Sequence, residues 1–417
     1  MNNSKFLILF SILFVLITVF IYYFFSSPKN KNNLIVINQI RYASIDGWET
    51  DDQLKALEVF SNSCKKIISF SPKKNLGSLT KVGESLVPFA GQVSDWIEPC
   101  QAAIGISLNN NKDARLFFQK WFLPFSISSS NSYNSIYKGD DLGLFTGYYE
   151  PMIEGNYFYN DEYKIPIYAY PKNYISVNLG EFKKSLKGER IIGRIQGNNF
   201  LPADSRSDIN QNGLEADVLY WAKNKIDVFF LHIQGSGLIS FPDGKKRRIS
   251  FSGSNGHDYF AIGRELIKKG YVSKEDISMQ SIKKWLNENP IKTDHILNLN
   301  KRYIFFKKSI NDFPNGALGT SLVGQRSLAV DTKFIPLGIP LWVYVDNHND
   351  KNKYIIKKLM ISQDTGAAIK GIVRGDIFFG TGDRAALFAG KLNQLGKYYA
   401  LLPRKLVLRR NARGTNE

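Results

Sequence analysis

The chain has 417 residues, 43% of them hydrophobic and 22% charged, which suits about two ordinary domains and excludes a disordered polymer. Net charge is +18, from 55 basic and 37 acidic side chains, so an anionic partner is expected, with the lysine bias of a low-GC genome as the plain alternative. Two cysteines without a CxxC pair and four scattered histidines without HExxH spacing exclude a cysteine- or histidine-built metal centre, and no cofactor is expected.

Residues 6–25 read FLILFSILFVLITVFIYYFF and hold no charged side chain. As a helix they cover about 30 Å, one bilayer core, with Tyr22 and Tyr23 at the interfacial end. Residues 1–29 are therefore a membrane anchor or a long signal peptide; the SSPKNKN that follows lacks a small-x-small cleavage site, which favours an uncleaved anchor, and the body is expected to be exported.

A polar linker and a short strand are expected over 30–45. Asp51 and Asp52 then open a helix in which Leu54, Leu57, Val59, Phe60, Cys64, Ile67 and Ile68 recur mostly at helical spacing, and Pro72 and Gly77 end that unit. A second helix starts at Ser94 or Asp95, and a third covers 113–122. Cys64 and Cys100 thus lie on or beside neighbouring helices. In an oxidising compartment they bridge; in a reducing one they are buried apolar thiols. The serine-rich run 126–135 reads as a loop.

Residues 143–151, GLFTGYYEP, form a strand carrying Thr146, Gly147, Tyr148, Tyr149 and Glu150, stopped by Pro151. Rings and hydroxyls beside a glycine suit a sugar, although an ordinary tyrosine-rich strand would look the same. From 163 to 256 short strands and turns dominate, the pattern of a small β-rich unit. Its centre, DVFFLHIQGSG at 227–237, is expected to be a buried strand ending in Gln234, Gly235, Ser236 and Gly237. Helices return at 258–269 and 273–288, the latter opened by a Ser273–Asp276 capping box and closed before Pro290. After Lys301 the chain is β-rich again and holds Asp331. A last helix is expected at 383–395, stopped by Gly396, then a solvated basic tail at 404–417.

The segment 360–382, MISQDTGAAIKGIVRGDIFFGTG, sets Asp364 and Asp376 at the edges of two short apolar strands, with glycines between. Glycine at that density lets backbone pass close to backbone or to a ligand. Either aspartate alone would be explained as a turn cap; Asp331, Asp364 and Asp376 at three strand edges of one β unit are less easily dismissed. No GxGxxG, GxxxxGK[ST] or GxSxG occurs, and no aromatic RNA-binding motif accompanies the basic residues, so neither nucleotide nor nucleic acid is expected as a partner.

In this order, FTGYYEP, FFLHIQGSG, GALGTSLVGQRSLAVDTKFIPLGIPLWV and QDTGAAIKG…GDIFFGTG resemble the membrane-bound lytic murein transglycosylase A family with its C-terminal three-aspartate domain. The resemblance runs from about residue 45 to about 403. It implies a mainly β fold with flanking helices: a double-psi β-barrel assembled from 30–150 and 273–403, with a second β-barrel inserted at 151–272. It also implies cleavage of the β-1,4 bond between N-acetylmuramic acid and N-acetylglucosamine in peptidoglycan glycan strands, leaving a 1,6-anhydro sugar.

By motif position the resemblance puts the catalytic carboxyl on Asp376, with Asp364 and Asp331 as supporting carboxylates. Thr146, Tyr148, Gln234, Gly235 and Ser236 become the glycan-binding set, and Tyr149 would line the groove with Tyr148. A hydrolytic glycosidase uses two carboxylates; closing a 1,6-anhydro ring uses one, which must be held protonated near neutral pH by burial or by a neighbouring charge. The chain departs from the family in having no cysteine just after the hydrophobic segment for a lipid; Cys64 is the first. The resulting expectation is a body in the periplasm tethered to the inner membrane. Two alternatives are a two-carboxylate peptidoglycan hydrolase using Glu150 or Asp364, and an envelope protein that binds peptidoglycan without turnover.

Overall fold

The computed structural model describes residues 34–107, 110–130, 141–310, 313–346 and 355–414. The expected anchor at 1–29 lies outside them, as does the second half of the serine-rich run. Among the described residues no helix is long and apolar enough to cross a membrane.

Six strands close on themselves through hydrogen bonds. Gly143–Glu150 runs parallel to Gly375–Thr381, which pairs antiparallel with Ser327–Val330. Ser327–Val330 runs parallel to Ile356–Asp364, and that strand pairs antiparallel with Pro340–Val345. Pro340–Val345 pairs with Asn393–Pro403, whose first residues return to Gly143–Glu150 and complete the ring. Closure removes the exposed edges that an open sheet would leave. The second half of Asn393–Pro403 carries the sheet outwards through Phe122–Ser129 to Ile35–Gln39. The barrel strands are packed on both faces: Leu328, Leu341 and Val343 on one and Leu359 and Ile361 on the other are all fully buried.

Helices Gln53–Ile67, Val93–Gly105 and Asn111–Trp121 cover this barrel with Phe60, Trp96, Phe117 and Phe118 facing it. The Asp52 side chain accepts from Lys55 N at 3.3 Å and caps the first. Cys64 and Cys100, on the first two helices, are joined as a disulfide with Cα atoms 5.0 Å apart.

A second sheet orders its strands Ile304–Lys308, Lys246–Ser254, Ser236–Ser240, Met152–Asn156, Val218–Ala222 and Ile165–Tyr168. A bridge between Ala169 and Phe306 brings its two outer strands together. The insert therefore reaches past residue 272, the boundary expected from the sequence, because its outermost strand is Ile304–Lys308. Helices Met279–Glu288 and Pro290–Asn298 also pack their Leu286, Ile296 and Leu297 against Phe229 and Phe230 of the insert.

Other expectations are corrected. Residues 225–234 form a helix, Lys225–Gln234, instead of a strand. Asn224 Oδ1 accepts from Ile226 N at 2.8 Å, and Gly235, at φ 77, closes the other end by donating to Leu231 O. Val228, Phe229, Phe230, Leu231 and His232 are all buried, and a run apolar on every side hides its period. Ser273 and Asp276 do bond to each other, but the helix beyond them starts at Met279, capped by Ser278. Pro290 starts the next helix instead of only ending one, since proline fits a first helical turn. The last predicted helix stops at Lys391, and Gly396 sits inside a strand, where a Cβ would meet Tyr344 O at 2.7 Å. The basic tail is the helix Arg404–Gly414, seated by buried Leu406 and Val407, with Arg409 paired to Asp95 at 2.8 Å.

Candidate active site

The barrel register lines up the chemistry. Asp376 is opposite Thr146 on one neighbouring strand and Ala329 on the other, and Ala329 is opposite Asp364 on the strand beyond. Directly partnered residues point to the same face, so Thr146, Asp376, Ala329 and Asp364 form one row across four strands. At strand spacing the two aspartates are about 10 Å apart at the backbone, with Ala329 between them in the row. A register shift between Leu328 and Ala329 brings Asp364 into the row; Leu328 is opposite Ser362, and one bulged residue re-aims a side chain.

Asp376 Oδ1 accepts from Thr146 Oγ1 at 2.6 Å. Its side chain is partly exposed yet crowded by protein, as at the floor of a cleft. That crowding raises its pKa from the usual carboxylate range to about 6; nearby Asp364 pushes the same way, while the Arg374 guanidinium and the Thr146 bond pull back. Asp364 is held differently. Its Oδ1 accepts from Ala317 N at 2.9 Å and its Oδ2 from the Tyr148 hydroxyl at 2.8 Å. Burial raises its pKa too, opposed by these donors and the Thr365 amide. The Tyr148 phenol is raised well above its ordinary value by burial and by Asp364 and Asp376, so it stays protonated and donates.

Asp331 does not join the row. It is buried; Oδ1 accepts from Lys333 N at 3.1 Å and Oδ2 from Gly371 N at 2.9 Å. It thereby ties its own turn to the loop between Asp364 and Asp376. Gln234 Oε1 accepts from Tyr149 N at 3.1 Å. Pairing of Asn393–Pro403 with this strand ends at Thr146, so the glutamine supplies the acceptor where the ladder stops. Gly235 is the left-handed turn after the helix, and Ser236 opens the strand Ser236–Ser240. Tyr149 does not line a groove: it is buried against Ala385 and Ala389, because alternation turns it away from Tyr148.

Glu150 is not a free second carboxylate. It is fully buried, accepts from Arg248 Nε at 2.6 Å and Nη2 at 2.9 Å, and accepts from Thr381 Oγ1 at 2.8 Å. Sequence reasoning also passed over Arg374, whose signal was a lone arginine two residues before Asp376, just before the strand Gly375–Thr381. From the insert, Tyr259 lies within the field of Asp376; burial first, and that carboxylate's charge as a smaller effect, raise its phenol. Surface hollows lined by Glu98, Trp121 and Arg404, and by residues 178–190, share no residue with this cluster. Among the described residues no cluster of three histidine, cysteine or acidic side chains could hold a metal ion.

Fold and site together define a protein of two β units whose barrel carries a row with two aspartates, Asp376 and Asp364, both raised above the ordinary carboxylate range. Residues 144–307 match the MltA specific insert domain and residues 326–402 the 3D domain. Membrane-bound lytic murein transglycosylase A of Escherichia coli K12 is 34% identical over 263 residues, covering 62% of this chain and 65% of that protein; the alignment thus spans a little under two thirds of the relative. MltA from Neisseria gonorrhoeae superposes with a TM-score of 0.71 at 32% identity, covering 88% of this chain and 93% of that one. Escherichia coli MltA with bound chitohexaose superposes with a TM-score of 0.61 at 25% identity, covering 89% and 94%. The chain belongs to the membrane-bound lytic murein transglycosylase A family, with its C-terminal 3D domain.

Proposed function

We propose that this protein is a lytic transglycosylase of peptidoglycan, cleaving the β-1,4 bond between N-acetylmuramic acid and N-acetylglucosamine with Asp376 as its one acid–base group. The observation that carries this reading is the contrast between the two aspartates. Both are half-buried and raised above the ordinary carboxylate range, but Asp376, raised to about 6, is bonded through one oxygen only, to Thr146. Asp364 has both oxygens engaged by Ala317 and Tyr148, which suits a fixed negative charge beside the reacting sugar better than a base for water.

The Asp376 carboxylic acid donates its proton to the bridging oxygen as the bond from that oxygen to C1 of the muramic sugar breaks. Positive charge developing at C1 and the ring oxygen is stabilised by Asp364. The Asp376 carboxylate then takes the proton of the sugar's own C6 hydroxyl as O6 bonds to C1. The 1,6-anhydro ring closes, water is not consumed, and Asp376 ends protonated as it began.

The names of the relatives and the chitohexaose held by the Escherichia coli protein support a glycan substrate. Thr146, Tyr148 and the Gln234–Gly235–Ser236 turn line the approach to Asp376, with Tyr259 on the insert side. The closed ring of six strands with two parallel pairs supports the double-psi reading. A net charge of +18 suits an acidic polymer, and the uncharged run at residues 6–25 supports a membrane tether with the body in the periplasm.

The test is mass spectrometry of muropeptides released from purified sacculi by wild type and by Asp376→Asn. Anhydro-ended muropeptides from wild type, reduced about 100-fold or more in the variant, are expected. Reducing-end products would favour the hydrolase; sacculus binding without release would favour a binding protein; undiminished release by the variant would remove Asp376 from the mechanism.

A further inference from the structure

The Thr146 hydroxyl lies between two groups. Arg374 Nη2 donates to Thr146 Oγ1 at 2.8 Å, and Thr146 Oγ1 donates to Asp376 Oδ1 at 2.6 Å. Arg374 Nη1 donates to Leu144 O at 3.1 Å and also to Gly375 O. The guanidinium is buried and bridges the parallel strands Gly143–Glu150 and Gly375–Thr381. A hydroxyl has one proton to give, and an arginine has none to accept. With the arginine on the acceptor side of Thr146, the threonine proton can go only to Asp376. Among the described residues Asp376 Oδ2 makes no hydrogen bond to protein.

We infer that Arg374 is the positioning residue of the acid: it orients Thr146, which occupies Oδ1 of Asp376 and leaves Oδ2 as the oxygen that carries the transferable proton. The inference rests on the reading of Asp376 as acid and base. A planar, permanently charged fork that spans two strands does what a lysine would not. The charged and titratable groups facing Asp376 are Arg374 just before its own strand, Tyr148 on the adjacent strand, Asp364 two strands away on the other side, and Tyr259 from the insert. Of these, Arg374 alone is a cation.

The test uses the full chain with Arg374→Gln, Arg374→Lys and Thr146→Val, each checked by thermal melting. Carboxyl titration by carbon-13 NMR, with Asp376 assigned by its loss in Asp376→Asn, requires no turnover. Arg374→Gln and Thr146→Val are expected to move the Asp376 midpoint to higher pH, with Arg374→Gln adding less in a Thr146→Val background than alone. Arg374→Lys is expected to leave the midpoint near wild type. In muropeptide release, Arg374→Gln and Arg374→Lys should lower kcat roughly 10- to 100-fold and leave KM within about twofold, and the alkaline limb of the kcat/KM profile should move up in Arg374→Gln only. An unmoved midpoint in folded Arg374→Gln, or in Thr146→Val should the first not fold, overturns the inference. Wild type that releases nothing fails the functional reading instead, and the titration still decides the role of Arg374.

Discussion

Glu150 and Arg248 stand 98 residues apart and share a two-pronged ion pair of 2.6 and 2.9 Å, with no surface of the carboxylate exposed. Glu150 is the last residue of a barrel strand and Arg248 belongs to the insert sheet. The pair therefore fixes the insert to the barrel two residues from Tyr148. Breaking a buried pair strands the other charge, at a cost of about 3 kcal/mol or more. Arg248→Met is expected to lower the chemical-denaturation midpoint and to cut muropeptide release, because the two walls of the cleft lose their common reference. Glu150→Gln should be milder than Arg248→Met, since an amide still accepts from Arg248 and Thr381. Unchanged unfolding in Arg248→Met would show that the pair does not tie the domains.

Asp376 links the site to stability as a function of pH. Its folded pKa, about 6, lies above the ordinary 3.8. The folded state thus holds the proton more tightly than the unfolded chain does, and this contribution is complete below pH 3.8 and lost as pH rises through about 6. At neutral pH the burden on the fold is on the order of 2–3 kcal/mol. Asp376→Asn carries no such charge and is expected to melt higher than wild type at pH 7 and to match it near pH 4. Melting curves of both proteins at the two pH values check this; an equal difference at both would refute it.

The Cys64–Cys100 bridge closes a stretch of sequence separation 36. Restricting an unfolded chain over that span is worth about 3–4 kcal/mol. The double substitution Cys64→Ala with Cys100→Ala should lower the urea midpoint accordingly. Both sulfurs lie in the apolar cluster between helices and barrel and touch none of the hydrogen bonds to Asp376 or Asp364, so kcat at low temperature should stay within about twofold of wild type. A large loss of rate in a protein that remains folded would contradict that separation.

Gln234 accepts from the backbone of Tyr149 where the strand loses its other partner. Gln234→Ala leaves that amide without its acceptor, a loss of about 1 kcal/mol in an ordinary hydrogen bond. The expected result is roughly a five- to tenfold fall in kcat/KM, carried mostly by KM, while Gln234→Glu retains an acceptor and most of the activity. Steady-state kinetics on a soluble glycan would separate the two.

Much of this protein was legible as a string of residues. Helical spacing exposed the helices that carry Cys64 and Cys100, strand-length apolar runs located the barrel strands, and ordered local motifs picked out Thr146, Asp364 and Asp376. These are short-range properties: period, glycine and proline placement, and composition act within one or two turns of chain. Local signals failed where burial surrounds a segment on all sides, as at 225–234, where a strand and a helix read alike. They failed again at Gly396, whose purpose is set by Tyr344 across the sheet. The row of Thr146, Asp376, Ala329 and Asp364 belongs wholly to the folded state, because it depends on parallel register and one bulge between strands far apart in sequence. So does the fate of three acidic groups alike on paper: cleft crowding raises Asp376 above the ordinary carboxylate range, amide hydrogen bonds make Asp331 a loop tie, and an arginine from the insert pairs with buried Glu150. Sequence determined which acids were present; the dielectric and the donors around each, which exist only after long-range packing, decided what each can do.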